Sequence, residues 1–328
     1  MILNLEQMCM ITRGAVRVEE EDGYFRLFRF TEAQHKAYED VGNRDYINRS
    51  FATAGIRLAF RTDSARLAFD YRFEGASSRA YAYFDVYENG QMIKHFGVEG
   101  TEQKSGHVVI SLHEGLKDVE LYLPWTRRTD LANVELDDGA TLQALCRKYT
   151  MIHYGDSITQ GYDAIYPSLS YASRLSRLMD ADAVNKAIGG DRFFPALLDE
   201  PDDFSPDFIT VAYGTNDWTH RTQELTLEKA RAFYSRLSEI YPNTRIFAVT
   251  PICRLDAYGC NSPFAAPLYT QDAMIRELCA DLKNVTVING WTLVPALKEF
   301  FSDMRLHPND IGFGLYAENL YKKIVKTL

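Results

Sequence analysis

The sequence predicts two domains of different fold class, an antiparallel β-sandwich followed by a doubly wound α/β domain, on three observations. Apolar residues alternate with period two up to about residue 140. After Leu145 short apolar runs are separated by helical patterns instead. The chain, at 328 residues, is also longer than one hydrophobic core usually serves.

In the first half, Ile56, Leu58 and Phe60 alternate with Arg57, Ala59 and Arg61, and Leu67, Phe69, Tyr71 and Phe73 alternate with Arg66, Ala68, Asp70 and Arg72. Such alternation buries one face of a strand and wets the other. Tyr81 to Glu88, Asn89-Gly90 and Gln91 to Phe96 read as a β-hairpin, since Asn-Gly accepts the positive φ angles of a type I′ turn. Val119, Leu121 and Leu123 continue the pattern up to Pro124. No amphipathic helix is expected among these strands, so they imply a sandwich or jelly roll. Asp137-Asp138-Gly139-Ala140 marks a turn near the boundary, which divides the chain into a β-sandwich domain over 1–145 and an α/β domain over 146–328.

The second half opens with Tyr149 to Tyr154 and continues with Ala183 to Ala187, Phe208 to Tyr213, Ile246 to Thr250 and Val285 to Ile288. These are short apolar runs of the kind buried on both faces in parallel sheets. Between them, Ala172, Leu175 and Met179 share a helical face, as do Leu227, Ala230, Phe233, Leu237 and Ile240, and Ala273, Ile275 and Leu278 suggest a third helix.

Composition narrows the function classes. A net charge of -9 repels phosphate backbones and anionic lipid, so neither nucleic acid nor membrane is expected as a partner. Met1 to Gly14 lacks the basic start and apolar run of a signal peptide, and no stretch could span a bilayer, which makes a cytoplasmic location the expectation. The five cysteines are scattered without disulfide or metal spacing, and the one bridge considered, Cys253 to Cys260, requires export. A homo-oligomer is compatible with the chain.

The chemistry concentrates after the predicted strands. The first α/β strand ends in Gly155-Asp156-Ser157-Ile158-Thr159-Gln160-Gly161, which places a serine at the carboxyl edge of the sheet, where open α/β folds bind ligands. A serine hydroxyl needs a base within hydrogen-bond reach and donors for the oxyanion that develops. Asn185-Lys186-Ala187-Ile188-Gly189-Gly190-Asp191, Tyr213-Gly214-Thr215-Asn216-Asp217 and Asp303-Met304-Arg305-Leu306-His307-Pro308-Asn309-Asp310 follow in order. Each alone is an ordinary turn, and it is their conjunction, each in the context a catalytic motif requires, that carries weight.

Together the four segments resemble the conserved blocks of the SGNH (GDSL-type) hydrolase family. The resemblance implies a three-layer α/β/α, flavodoxin-like catalytic domain and a serine esterase with no cofactor or metal. It implies Ser157 as nucleophile and His307 as general base, with an oxyanion hole from the Ser157 N–H, Gly190 (or Gly189) and Asn216. One departure is visible: the family's aspartate stands three residues before the histidine, where this chain has Met304, with Asp303 four before. Asp303 completes a triad if the loop bulges by one residue; otherwise His307 leans on a carbonyl or on Glu299 as a dyad. His153, His220, Cys253 and Arg254 also flank strand ends, but a paired core histidine or a salt-bridged arginine is the expected account.

The β-rich half, with Leu121-Tyr122-Leu123-Pro124-Trp125, is similar to the jelly roll that precedes the catalytic domain in acetylxylan-esterase-like carbohydrate esterases. That similarity implies removal of acetyl groups from a sugar or oligosaccharide, with Trp125 and Trp218 as candidate stacking platforms. The competing expectations are a short-chain lipase or thioesterase and a catalytically silent carbohydrate-binding protein.

Overall fold

The structure is a computed structural model, and it describes residues 1–75, 77–257 and 261–328. Cys260, and with it the bridge to Cys253, lies outside the described residues.

The first half runs α1 (Leu5–Ile11), β1 (Thr12–Arg13), β2 (Arg17–Glu21), β3 (Tyr24–Phe28), α2 (Glu32–Val41), α3 (Arg44–Ser50), β4 (Arg57–Thr62), β5 (Arg66–Glu74), β6 (Tyr81–Glu88), β7 (Gln91–Glu99), β8 (Ser105–Ser111), β9 (Lys117–Tyr122), β10 (Arg128–Leu136) and β11 (Gln143–Ala144). The second runs β12 (Tyr149–Gly155), α4 (Ser157–Gln160), α5 (Tyr171–Leu178), β13 (Ala181–Asn185), β14 (Phe208–Ala212), α6 (Thr215–His220), α7 (Gln223–Ile240), β15 (Arg245–Val249), α8 (Gln271–Leu278), β16 (Val285–Ile288) and α9 (Asp310–Val325).

Two antiparallel sheets, ordered β1-β4-β9-β6-β7 with β11 against β4 and β2-β3-β10-β5-β8, face each other over a common core. The alternation dictates what fills it: Leu58 and Phe60 of β4, Phe84 and Val86 of β6 and Leu121 of β9 meet Leu67 and Phe69 of β5 and Leu131 of β10. The β6–β7 hairpin turns at Asn89 (φ 49°) and Gly90 (φ 78°), the paired positive angles expected of its dipeptide. The turn ending at Gly139 (φ 77°) leads not out of the sandwich but back to it, because β11 pairs with β4.

The expectation of no helices in this half is overturned by α1, α2 and α3. α1 spans only seven residues, with Met8 and Ile11 in the sandwich core, and the apolar content of the other two is too thin for a helical stripe: α2 buries Gln34, His35 and Tyr38, and α3 buries Tyr46 and Ser50. α1 is held by its cap and by the sandwich core, α2 and α3 by capping and by contact with the other half. Asn4 with Gln7 and Thr31 with Gln34 form capping boxes, each satisfying two helix-end N–H groups.

The second half is a parallel sheet ordered β13-β12-β14-β15-β16, the flavodoxin-like order, with helices on both faces. α5 and α9 cover one face through Tyr171, Leu175, Phe313 and Leu320, while α7 and α8 cover the other through Phe233, Leu237 and Ile275. Because β12 lies between β13 and β14, the loops after these three strands emerge side by side. The register aligns His153 with Asn185 and Gly155 with Ala212. That adjacency is what positions the site. Among the described residues no helix is long and apolar enough to cross a membrane.

Candidate active site

Ser157 opens α4 immediately after β12. Asp156 caps this helix by accepting from the Ile158 N–H at 3.0 Å, and the helix ends at Gly161, whose φ of 107° a side chain would strain. The turn lifts the serine out of the sheet edge while leaving it only 6% exposed. The Ser157 Oγ lies 2.9 Å from the Nε2 of His307, 150 positions away in sequence. The ring of Tyr162 stacks on the imidazole at 5.6 Å.

Asp303 reaches the other nitrogen of that imidazole, its Oδ2 being 2.9 Å from Nδ1. Its Oδ1 accepts the backbone N–H groups of Arg305, Leu306 and His307 at 3.0, 2.8 and 3.1 Å. The four-residue spacing works because the extra residue, Met304, takes φ 57° and stands exposed, bulging from a loop that bridges Phe301 and Pro308. Glu299, the other acid considered, is exposed and offers only its carbonyl, to Asn309. Burial alone would raise the Asp303 carboxyl, but His307 and the backbone donors outweigh it and hold the group well below the usual carboxylate range.

Beside this chain lies a carboxylate that sequence reasoning missed. The Oδ2 of Asp163 is 3.7 Å from His307 Nδ1 and accepts the Ser302 hydroxyl at 2.6 Å and Arg79 Nη2 at 3.0 Å. Arg79 comes from the connection between β5 and β6 of the sandwich. No motif marks Asp163, and the one hint is its place six residues after Ser157. Asp163, Asp303 and His307 bring three potential metal-ligand atoms within 4.8 Å of one another. All three residues already share hydrogen bonds or ion pairs, so the trio reads as a charge network.

The glycine segment after β13 is held from the sandwich side. Arg49 donates to the Gly189 carbonyl and the Tyr46 hydroxyl to the Gly190 carbonyl, each at 2.7 Å, while Arg29 donates to the carbonyl of Ala187 at 2.9 Å. The Gly189 N–H is spent on Gln160 Oε1 at 2.7 Å, which leaves Gly190, at φ 85°, as the glycine with an N–H to offer. Asn216, second residue of α6, gives one amide hydrogen to the Asp191 carbonyl at 2.9 Å and keeps the other. Sequence reasoning overlooked Arg29, in the connection between β3 and α2, and Tyr46 and Arg49 on α3, although the Thr31–Gln34 capping box marks the start of α2.

Three buried carboxyls lie beneath these loops. Burial pushes Asp156 and Asp191 up to about 7 and Asp217 up to about 6, and the negative charge of Asp217 adds to the rise at the other two. Hydroxyls of Tyr38 (2.9 Å) and Tyr213 (3.2 Å) on Asp191, and Arg221 (2.7 Å) on Asp217, work against it.

Other expectations divide. His153 is a core histidine between Thr210 and Ser176, its pKa lowered by burial to about 4, Cys253 is buried, and Arg254 pairs with Asp256. His220 is exposed at the end of α6 rather than in the core, because the helix turns its buried face through Asp217 and Trp218. Trp125 and Trp218 are not sugar platforms. Both are nearly fully buried, with their indole N–H groups spent on the carbonyls of Ala164 and Ala266.

Residues 153–315 match the family model of the GDSL-like lipase/acylhydrolase family. The second half of this chain belongs to that family. It is a carboxylic ester hydrolase domain, in agreement with the resemblance carried by the four blocks. No curated protein matches the chain by sequence. Solved structures share the two-part architecture along most of its length. A salicylyl-acyltransferase from a tetracycline biosynthetic pathway is 24% identical with a TM-score of 0.83, over 96% of this chain and 94% of that one. A family two carbohydrate esterase from Clostridium thermocellum, in complex with cellohexaose, is 16% identical with a TM-score of 0.65, over 84% and 93%. An acetyl xylan esterase from the rumen bacterium Butyrivibrio proteoclasticus is 15% identical with a TM-score of 0.64, over 97% and 95%. The acylhydrolase domain therefore comes with its sandwich partner in the fold of several such proteins.

Proposed function

We propose that the protein removes acyl groups, acetyl foremost, from carbohydrate esters through an acyl-enzyme on Ser157. The observation that carries this reading is the continuous hydrogen-bond chain Ser157–His307–Asp303. In it His307 takes the hydroxyl proton as Ser157 attacks the ester carbonyl, and Asp303 holds the ring and stabilises the imidazolium that forms. The Ser157 N–H, Gly190 N–H and free Asn216 amide hydrogen bind the tetrahedral oxyanion. The proton on His307 then passes to the departing sugar oxygen, and water, activated by the same histidine, releases the acid. We assign this chemistry to residues 146–328 and a supporting role to 1–145. No step in it calls for a cofactor. The likeness to an acetyl xylan esterase and to an esterase holding cellohexaose supports an acylated oligosaccharide as substrate.

Turnover of p-nitrophenyl acetate tests it. Ser157→Ala and His307→Ala each lose about 10³-fold or more in kcat, and rates equal to the parent's would leave only a silent binding protein. A preference for octanoate over acetate would favour the short-chain lipase or thioesterase instead.

A second reading is acyl transfer to an organic hydroxyl, favoured by the likeness to a salicylyl-acyltransferase. It predicts that added alcohols divert the acyl-enzyme into ester product, measured as the ratio of ester to free acid.

A further inference from the structure

Among the described residues, two acids and two arginines stand around the His307 imidazole. On the Nδ1 side stand Asp303 at 2.9 Å and Asp163 at 3.7 Å. Arg305 pairs with Asp303 at 3.7 Å and with Asp256 at 3.3 Å, so its charge is shared. Among the described acids Arg79 pairs with Asp163, donating from both Nε and Nη2 in the two-pronged geometry that fits a carboxylate. On the Nε2 side, among the described residues, stands the Ser157 hydroxyl, and the Tyr162 ring covers the face.

Asp163 is also placed with unusual care. It takes φ 72°, a left-handed angle uncommon outside glycine, directly after the tyrosine that stacks on the imidazole. Burial would raise its carboxyl, but Arg79, Ser302 and His307 together hold it below the ordinary value, so it is an anion at neutral pH. The guanidinium of Arg79 further covers the Tyr162 ring at 5.4 Å.

Resting on His307 being the general base, we infer that Asp163 is a second acid positioning that imidazole, and that Arg79 of the sandwich domain sets how much of its charge His307 feels. The juxtaposition makes the sandwich part of the proton-transfer apparatus. As the proton moves from Ser157 to His307, the imidazolium gains two anions on its Nδ1 side, one of them balanced by a cation delivered from the other domain. Removing the cation and removing the anion therefore act in opposite directions on His307. Without Arg79 the bare Asp163 favours the imidazolium, and without the Asp163 charge the imidazolium loses support.

The test is the acid limb of kcat/KM for p-nitrophenyl acetate in the full chain. Arg79→Leu moves that limb up by about half a unit to one unit, Asp163→Asn moves it down by a similar amount, and Arg79→Lys, which keeps the charge, returns it to the parent position. Asp303→Asn retains about tenfold more activity than the Asp303→Asn/Asp163→Asn double variant, because Asp163 still supports the ring. Limbs that superimpose on the parent's, or that shift in the same direction for Arg79→Leu and Asp163→Asn, overturn the inference. His307→Ala keeps the two readings apart. Activity surviving in that variant removes the base itself, whereas an inactive His307→Ala with unshifted limbs removes only the role of Asp163 and Arg79.

Discussion

Asp191 sits under the glycine loop with its carboxyl between the hydroxyls of Tyr38 and Tyr213, 2% exposed, beside a second buried acid. In the fold it keeps its proton until about pH 7, whereas an unfolded chain releases it near its ordinary value of 3.8. The folded state thus binds more protons across that interval, and stability falls as pH rises through it. Asp191→Asn keeps the acceptor for the tyrosines and discards the titration. Its melting temperature relative to the parent should improve by a few degrees between about pH 4.5 and pH 8. Thermal melts at the two ends check this, and a difference independent of pH would mean that Asp191 is ionised in the fold. The sequence showed the residue only as the neighbour of two glycines, since its burial depends on Tyr38 from 153 positions away.

The loop from Phe301 to Pro308 shows how an element absorbs a departure in spacing. Its last motif residue and its acid are one position further apart than the family pattern, and Met304 takes up the difference at φ 57°. Left-handed backbone costs a β-branched residue about 1–2 kcal/mol more than it costs glycine. Met304→Val should therefore loosen the bulge, lowering kcat severalfold with KM kept, while Met304→Gly keeps parent activity. Steady-state kinetics of the pair decide the matter, and a Met304→Val enzyme with unchanged kcat would show that the bulge is not what seats Asp303. In contrast, the strands of the parallel sheet were legible within a few residues: β16 was expected at Val285 to Ile288 and is found there, and α7 was expected from Leu227 and starts at Gln223. Short apolar runs and helical apolar stripes fix such elements locally. α2 and α3 were not legible because their buried faces are polar and aromatic, and are satisfied by each other, through His35 and Ser50, and by the glycine loop of the other half.

At the scale of the molecule, Arg29 is the clearest tie between the halves. It is 1% exposed and donates to the carbonyls of Ala52 at 2.6 Å, Arg49 at 2.8 Å and Ala187 at 2.9 Å, and to that of Asn185 as well. Burial lowers its pKa to about 9, which still leaves it charged at neutrality. Arg29→Met would strand several buried carbonyls at once and should cost about 3 kcal/mol or more, since each loses its partner without gaining water. Urea unfolding followed together with activity tests this: both should be lost at one lower midpoint. Loss of activity at unchanged midpoint would mean that Arg29 serves the loop and not the union of the halves.

The sequence by itself determined the grammar of the two halves, the family of the second and the residues available for chemistry, because alternation, apolar runs and short motifs are properties of neighbours along the chain. The tertiary structure alone decided which acid meets His307, which glycine keeps a free N–H, that the tryptophans are core, and that Arg79 and Asp163 stand beside the imidazole. Those outcomes depend on single backbone angles and on contacts between separate segments, such as Arg79 with Asp163, 84 positions apart, and Asp163 with His307. No local pattern encodes such a meeting; only the packing of sheet, loop and sandwich against one another brings it about.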